Sequence, residues 1–192
     1  MNESTPPSQR KLGTGMMILA WIAGLLLAAF WFSGVEERQR NPNQNPESSR
    51  LDSAVEVRLE ANRQGHYLVN GRINSSAVTL LVDTGASFVA VPAGLAEELG
   101  LERGRQFMVD TANGTAEGYA TRLNSLQIGD IRLHDVEAGI VPGMGGDEVL
   151  LGMSALRQLD FRSQGGDLLL RQFQRVFNRA SRRCPPVERM HE

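Results

Sequence analysis

The chain has 192 residues, with 20 Lys and Arg against 22 Asp and Glu, so it can hold one ordinary domain plus appendages. A net charge of −2 gives no reason to expect a nucleic-acid partner. The single cysteine, Cys184, excludes an internal disulfide framework and a cysteine-based metal site. His66, His134 and His191 are far apart, and we expect them at surface or loop positions rather than as metal ligands.

The first apolar segment predicts a membrane anchor. Residues 1–11 are polar and predict a short cytoplasmic tail, and residues 12–35 then form a run of 24 residues without a charge. A helix that crosses a bilayer needs about 20 residues, so we expect a transmembrane signal anchor. A cleaved signal peptide is the alternative, but its apolar region is usually about 7–15 residues long. Bulky Phe30, Trp31 and Phe32 also occupy the place of a cleavage site.

The cations around this segment favour an N-terminus inside the cell. Arg10 and Lys11 lie directly before the apolar span, whereas Arg38 and Arg40 follow it among acidic residues. Lys and Arg concentrate on the cytoplasmic side of membrane spans. The predicted location is therefore the inner (cell) membrane, single-pass, with the following chain on the periplasmic or extracytoplasmic side.

The chain after the anchor divides into three parts by composition. Residues 36–51 are polar, contain two prolines and have no apolar periodicity, which predicts a flexible linker. The folded domain is predicted over residues 52–172. Residues 173–192 form a basic tail, which is expected to be solvated; the alternative is an amphipathic segment that lies on an anionic membrane.

The first half of the domain is predicted to consist of strands and turns. Residues 55–59 alternate between apolar and charged side chains, which is typical of a half-buried strand. The pair Asn70-Gly71 predicts a hairpin turn within residues 67–73. Residues 74–76 predict the next turn, which leads into an apolar strand.

This apolar strand ends at the residues most suited to chemistry. Residues 78–82 predict a buried strand that stops at Asp83, followed by Thr84 and Gly85. Asp83 is thus expected on a loop braced by a rigid element, where catalytic residues are often found. Gly85 lacks a side chain, so another backbone could approach closely. A structural Asx-turn without a catalytic role is the alternative.

The middle of the domain predicts a short helix and a polar hairpin. A strand at residues 88–91 is followed by a helix at residues 93–99, which stops at Gly100. Residues 105–110 are predicted to be extended, and a turn follows them. Because this hairpin is polar and contains glycine, we expect a mobile flap. Its candidate residues are Thr111, Ala112, Asn113, Gly114 and Thr115.

The last part of the domain predicts further strands and a second short helix. Residues 123–141 predict two strands joined at Gly129-Asp130, and residues 168–170 predict a last strand. A buried strand containing Leu150 and Leu151 ends at Gly152, after which Ser154 is predicted to cap a helix. The fold class is therefore all-β, a small closed barrel with one or two short helices, preceded by a single transmembrane helix.

These motifs together resemble the retropepsin-like aspartic proteases, in particular the bacterial membrane-anchored members with one catalytic lobe. The resemblance covers roughly residues 60–171. It rests on the run Leu81-Val82-Asp83-Thr84-Gly85-Ala86-Ser87, on the hairpin near Asn113-Gly114, and on Leu150-Leu151-Gly152 before a short helix. It implies an acid-protease-like barrel with Asp83 as the catalytic residue. It also implies an active-site loop formed by Thr84, Gly85, Ala86 and Ser87, with the Leu150-Leu151-Gly152 motif packed beside it.

Peptide hydrolysis by carboxylates needs two of them around one water, one acting as base and the other as acid. The chain does not repeat the motif of Asp83: Asp110-Thr111-Ala112 has Ala in place of Gly, and neither Asp130 nor Asp147 is followed by Thr-Gly. The resemblance implies a homodimer in which two copies of Asp83 meet at a two-fold axis. Thr84 would then bond across to the partner loop.

The predicted function is that of a membrane-anchored aspartic endopeptidase, a hydrolase that cleaves a protein or peptide substrate without a cofactor or metal. A serine nucleophile elbow is excluded because Gly85-Ala86-Ser87 lacks the second glycine that this motif requires. Two alternatives remain open: a non-catalytic membrane-tethered binding or dimerisation module of the same fold, and a β-barrel scaffold of another family in which the motif is coincidental.

Overall fold

An apolar helix precedes the β domain. The computed structural model describes residues 7–111 and 114–173. Helix α1 (Pro7–Arg40) contains the predicted anchor and continues five residues beyond it. From Gly13 onward it is long and apolar enough to cross a membrane. Its large apolar side chains from Met16 to Phe32 are between 48% and 82% exposed, so they do not pack on the domain.

The domain consists of short strands and two short helices. In chain order the strands are β1 (Glu47–Leu51), β2 (Ala54–Glu60), β3 (Leu68–Ile73), β4 (Ser76–Val82), β5 (Val89–Pro92), β6 (Gln106–Thr111), β7 (Gly114–Ile128), β8 (Ile131–Val141), β9 (Glu148–Leu151), β10 (Asp160–Gln164) and β11 (Asp167–Phe173). Helix α2 (Ala93–Glu98) lies between β5 and β6, and helix α3 (Met153–Leu156) lies between β9 and β10.

The strands form two sheets around one apolar core. One sheet has the order β1-β2-β11-β10 and the other has the order β3-β4-β9-β5-β8-β7-β6. Pairing of β3 with β7 closes the second sheet into a barrel. Alternate side chains point inward, and Ile73, Leu80, Leu126, Ile140 and Leu151 are fully buried. The predicted all-β class, with a closed barrel and short helices, is confirmed.

The strand order explains the close packing around the loop that joins β4 to β5. Strand β4 runs parallel to β9, with Val82 opposite Leu151, so both strands end at the same edge of the sheet. Strand β5 lies on the other side of β9. The chain that leaves β4 must therefore cross the end of β9 to reach β5, and the residues on both sides of this crossing must pack closely.

The predicted turn at Asn70-Gly71 was wrong. Both residues lie inside β3, and the turn falls at Asn74 and Ser75, whose φ angles are 47° and 75°. The reason is that β3 pairs on both sides, with β4 and with β7. A Cβ at position 71 would lie 2.6 Å from the carbonyl oxygen of Gln127. Gly71 therefore serves close strand approach rather than a turn.

The N-terminal boundary of the domain also differs from the prediction. In place of a flexible linker over residues 36–51, α1 continues to Arg40, and β1 pairs with β2. Between them, Asn41 and Asn43 are buried and hydrogen-bonded. The domain thus begins near Asn41 rather than at residue 52. At the other end, Phe173 belongs to β11, and the rest of the predicted basic tail lies outside the described residues.

Candidate active site

Asp83 lies directly after β4, in a turn that its own carboxylate stabilises. Its backbone N–H donates to the carbonyl of Leu151 at 3.2 Å, and the N–H of Ala86 donates to its carbonyl at 3.3 Å. Its Oδ1 accepts the N–H of Gly85 at 2.9 Å. These bonds form an Asx-turn, which fixes the direction of a half-buried carboxylate.

Gly85 gives this turn its tight geometry. A Cβ at this position would lie 3.2 Å from Asp83 Oδ1, so a side chain would press on the carboxylate. Thr84, Gly85 and Ser87 are exposed at the surface of the loop, whereas Ala86 is half-buried. The backbone of the loop is thus accessible from outside, next to the carboxylate.

The start of α3 supports the loop from below. The N–H of Met153 donates to the carbonyl of Ala86 at 2.8 Å. A Cβ on Gly152 would lie 2.8 Å from that carbonyl oxygen and closer still to the carbonyl oxygen of Phe88. Only a residue without a side chain fits beneath the crossing chain, so the Leu150-Leu151-Gly152 motif packs beside the Asp83 loop.

Ser154 joins the loop to β8. Its Oγ accepts the N–H of Val89 at 3.0 Å and donates to the carbonyl of Glu137 at 2.7 Å. The prediction that Ser154 caps α3 was wrong, because the N-cap is Gly152 and makes no side-chain bond. The side chain instead satisfies two backbone groups at the far end of the loop. No local sequence signal indicates such a role.

Asp83 borders a cleft of about 720 Å³. The Asp83 loop lines one side, and the hairpin of β6 and β7 lines another through Val109, Asp110, Gly114, Thr115 and Ala116. The predicted flap and the predicted catalytic loop therefore border the same cleft. Thr111 pairs with Gly114 in the hairpin, while Ala112 and Asn113 lie outside the described residues.

An aromatic contact connects the loop with the base of the hairpin. The rings of Phe88 and Phe107 are 5.3 Å apart and nearly perpendicular, a geometry that aromatic pairs favour. A Cβ on Gly139 would lie 2.5 Å from the Phe88 ring, so the glycine leaves room for it. The base of the hairpin and the end of the Asp83 loop are thus positioned by a shared contact.

Two further carboxylates line the cleft, and each has a side-chain partner. Asp110 accepts the hydroxyl of Thr115 at 3.0 Å, and Glu148 forms an ion pair with Arg40. The carboxylate of Asp83, by contrast, accepts a backbone N–H of its own loop, that of Gly85. Asp147 is exposed in the loop before β9 and does not line the cleft. Within residues 7–111 and 114–173, no group of three potential ligands could hold a metal ion.

A larger groove of about 820 Å³ lies near α2 and the outer strands. Two of its cations are paired with neighbouring acids: Arg103 with Glu97 at 3.1 Å, and Arg122 with Asp135 at 2.8 Å. The hydrogen bond and the charge of Asp135 raise the pKa of the Arg122 side chain above its ordinary value. Because Asp83 and its loop line the smaller cleft and do not line this groove, we place the site in the smaller cleft.

Comparison with known proteins identifies the fold. Residues 69–158 match the model of a family described as "gag-polyprotein putative aspartyl protease". The crystal structure of a retropepsin-like aspartic protease from Rickettsia conorii matches with a TM-score of 0.51 at 27% identity, covering 67% of this chain and 94% of that one. The fold is therefore that of the retropepsin-like aspartic proteases, and the resemblance predicted from the sequence is confirmed.

Two curated relatives are uncharacterised bacterial proteins. One, from the cobV 5′ region of Sinorhizobium sp, is 33% identical over 117 residues, which is 59% of this chain and 50% of that protein. The other, from Rickettsia prowazekii (strain Madrid E), is 31% identical over 121 residues, or 60% of this chain and 50% of that protein. The chain thus spans about half the length of the curated relatives it matches.

Proposed function

We propose that the protein is an aspartic endopeptidase that uses the carboxylate of Asp83. The observation that carries this proposal is the construction of the loop. Its carboxylate is oriented by the N–H of Gly85, and its backbone is fastened to the end of β9 and to the start of α3. A rigidly supported carboxylate beside a cleft with a hairpin over it suits the hydrolysis of an extended peptide.

The active form is proposed to be a homodimer. The chain has one Asp-Thr-Gly motif, and the chemistry needs two carboxylates. Thr84 and Gly85 are exposed, so this face of the loop is free to meet its own copy across a two-fold axis. In such a dimer the two Asp83 side chains flank one water, and Thr84 bonds to the partner loop.

The proposed chemistry is general acid–base hydrolysis. One carboxylate, ionised, takes a proton from the water as the water oxygen attacks the scissile carbonyl carbon. The other, protonated, gives its proton to the carbonyl oxygen, so a neutral tetrahedral diol forms. Breakdown of the diol breaks the C–N bond, the nitrogen takes up a proton, and the products are a carboxylic acid and an amine. One shared proton suffices because two carboxylates in contact do not both ionise readily.

The enzyme is proposed to work at the membrane. Helix α1 is apolar on all sides and unpacked over the length of its apolar run, which suits a lipid environment. We propose that it spans the inner membrane through residues 12–35, with residues 1–11 in the cytoplasm. The catalytic domain then faces the periplasm or extracellular side, and its substrates are proteins or peptides found there.

The test is a search for cleaved peptides. Full-length protein in detergent micelles is incubated at mildly acid pH with a peptide mixture, and products are identified by mass spectrometry. We expect new termini with the wild-type chain and none with Asp83→Asn, which keeps the size of the side chain but cannot act as a base. Asp147→Asn removes an exposed carboxylate outside the cleft and serves as the matched control.

Two outcomes would contradict the proposal. Cleavage by Asp83→Asn at the wild-type rate would remove Asp83 from the chemistry. Absence of cleavage by the wild-type chain across the whole peptide mixture would favour a non-catalytic binding or dimerisation module with the same fold.

A further inference from the structure

The segment between the apolar helix and the barrel is held by a set of buried hydrogen bonds. Among the described residues, the buried polar side chains are those of Asn41 and Asn43, which are 6% and 5% exposed. The N–H of Asn41 donates to the carbonyl of Glu37 at 2.9 Å, so the last turn of α1 runs directly into this segment. We refer to Asn41, Pro42 and Asn43 as the asparagine clamp.

Asn43 joins the end of β2 to the start of β3. Its Nδ2 donates to the carbonyls of Glu60 at 2.9 Å and Leu68 at 2.7 Å, and its Oδ1 accepts the N–H of Glu60 at 2.7 Å. Its own carbonyl accepts the N–H of Asn70 at 3.1 Å. An amide side chain supplies two donors and an acceptor, so neither Asp nor Ala could make this set of bonds.

Asn41 and Arg40 connect the helix end to the same region. The Oδ1 of Asn41 accepts the N–H of Asn43 at 3.0 Å, and its Nδ2 donates to the side chain of Asn70 at 2.8 Å. The carbonyl of Arg40 accepts a bond from the Asn62 side chain at 3.1 Å, and the Arg40 guanidinium pairs with Glu148. The helix end is thereby attached to the barrel at several points, without a slack linker.

This attachment reaches the cleft through β9. Glu148 begins β9 and lines the cleft, and Leu151 at the other end of β9 accepts the backbone N–H of Asp83. Four strand residues span roughly 10 Å. The helical residues between Val35, the last apolar residue of the span, and Arg40 add about 7.5 Å. With the reach of the ion pair included, this path places Asp83 at most on the order of 20–30 Å from the hydrocarbon edge.

We propose that the asparagine clamp makes α1 and the barrel one rigid unit, which holds the cleft at a fixed height above the bilayer. Its substrates are then extended segments of other membrane-anchored proteins, close to the point where those proteins leave the membrane. A chain that extends about 3.3 Å per residue covers this height in roughly six to nine residues. This inference rests on the proposed peptidase function and specifies its substrate class.

The test compares one cleavable sequence at two heights. The sequence is taken from the best peptide of the search described above and is placed in two membrane-anchored reporters. In the near reporter it follows the membrane helix after about eight residues. In the far reporter it stands on a rigid helical spacer of about 40 residues, or roughly 60 Å. Each reporter is reconstituted in vesicles with full-length enzyme, and the free peptide is assayed in parallel.

Two insertion variants separate height from anchoring. A flexible Gly/Ser insertion of about 15 residues between Arg40 and Asn41 leaves the clamp with the barrel but disconnects it from α1. An insertion of seven helix-forming residues after Val35 keeps the connection rigid and raises the barrel by about 10 Å. Both variants leave the sequence of the cleft residues unchanged, and the rate of each variant on the free peptide is the reference for its rates on the two reporters.

We expect the wild-type enzyme to cleave the near reporter roughly tenfold faster than the far one, and the flexible variant to show a clearly smaller near-to-far ratio. The helical variant should shift the preferred site outward by about three residues. A near-to-far ratio that is the same in the wild-type and flexible variants would overturn the fixed-height inference while leaving the peptidase intact. Failure of the wild-type enzyme to cleave the free peptide would instead contradict the proposed function, and this inference with it.

Discussion

Asp83 owes its position to small residues that leave room for the backbone. Gly152 lies where the chain from β4 crosses the end of β9, and a Cβ there would collide with two carbonyl oxygens of the loop. Gly85 leaves space beside the Asp83 carboxylate. Packed backbone cannot move away as easily as a flexible side chain, so added atoms at these points must displace the loop.

Gly152→Ala is expected to destabilise the domain and to abolish peptide cleavage. Overpacking a well-packed site typically costs about 1–3 kcal/mol, and a collision with backbone falls at the upper end or beyond it. Gly94→Ala is the matched control, because its Cβ would meet nothing within 4 Å and helix α2 should gain about 0.5–1 kcal/mol. Urea unfolding of both variants checks this, and equal stability of the two would contradict it.

Ser154→Ala is expected to lower kcat in addition to lowering the free energy of unfolding. It leaves the N–H of Val89 and the carbonyl of Glu137 without their side-chain partner, at a cost of about 1–3 kcal/mol. The far end of the Asp83 loop should then loosen and reduce kcat. Ser49→Ala, an exposed serine in β1, is the control. Unchanged kcat in a measurably less stable Ser154→Ala protein would limit Ser154 to a structural role.

The residues that form and support the Asp83 loop differ in how far the sequence predicts their roles. Asp83 and Gly152 could be found because each belongs to a short motif in a fixed local context. Ser154 could not, since its partners lie 65 and 17 residues away and its sequence neighbourhood predicts a helix cap. A hydroxyl that bonds to distant backbone leaves no periodic or compositional pattern.

At the level of elements, the main departures from expectation occur where local composition does not indicate how a segment pairs or packs. Asparagine and proline over residues 41–46 have the composition of a loop, yet Asn41 and Asn43 satisfy buried backbone groups. Asn70-Gly71 has the composition of a hairpin turn, yet Gly71 lies between two strands. Strands β1 and β10 were not predicted because their side chains are mostly exposed and show no apolar alternation.

Asn43→Ala is expected to destabilise the domain by about 2–4 kcal/mol, because it leaves the buried N–H and carbonyl of Glu60 and the carbonyl of Leu68 short of partners. Asn45→Ala, which changes an exposed residue two positions further along, should unfold at the wild-type urea concentration. If the two variants unfold together, residues 41–43 behave as the flexible linker that composition alone predicts.

For the whole molecule, the helix and barrel were predictable from apolar runs and strand patterns, because the positions of apolar residues indicate which side chains avoid water.

The orientation of α1 in the membrane was predicted from a few cations, so a separate measurement tests it. An export-dependent reporter fused after Glu192 is expected to be active, as the barrel should lie outside the cytoplasm. The same reporter fused within residues 1–11 should be inactive. The reverse pattern would invert the topology.

Activity is expected to depend on pH in the manner of a carboxylate pair that shares one proton. At low pH both carboxylates are protonated and no base remains, whereas at high pH both are ionised and no acid remains. The rate of cleavage of a neutral peptide should therefore be bell-shaped with an acid maximum. A rate that rises steadily towards alkaline pH would point to different chemistry.

The central claim is that two Asp83 side chains from two chains form one site, and a mixed dimer tests it most directly. Wild-type and Asp83→Asn chains are co-expressed in equal amounts, and peptide cleavage is measured with total protein held constant. Because random pairing leaves about one quarter of the dimers with two carboxylates, activity should fall to about a quarter of the wild-type value. Activity at one half, as dilution alone produces, would contradict a shared site and would direct the search for a second carboxylate to Asp110 and Glu148, which line the cleft within one chain.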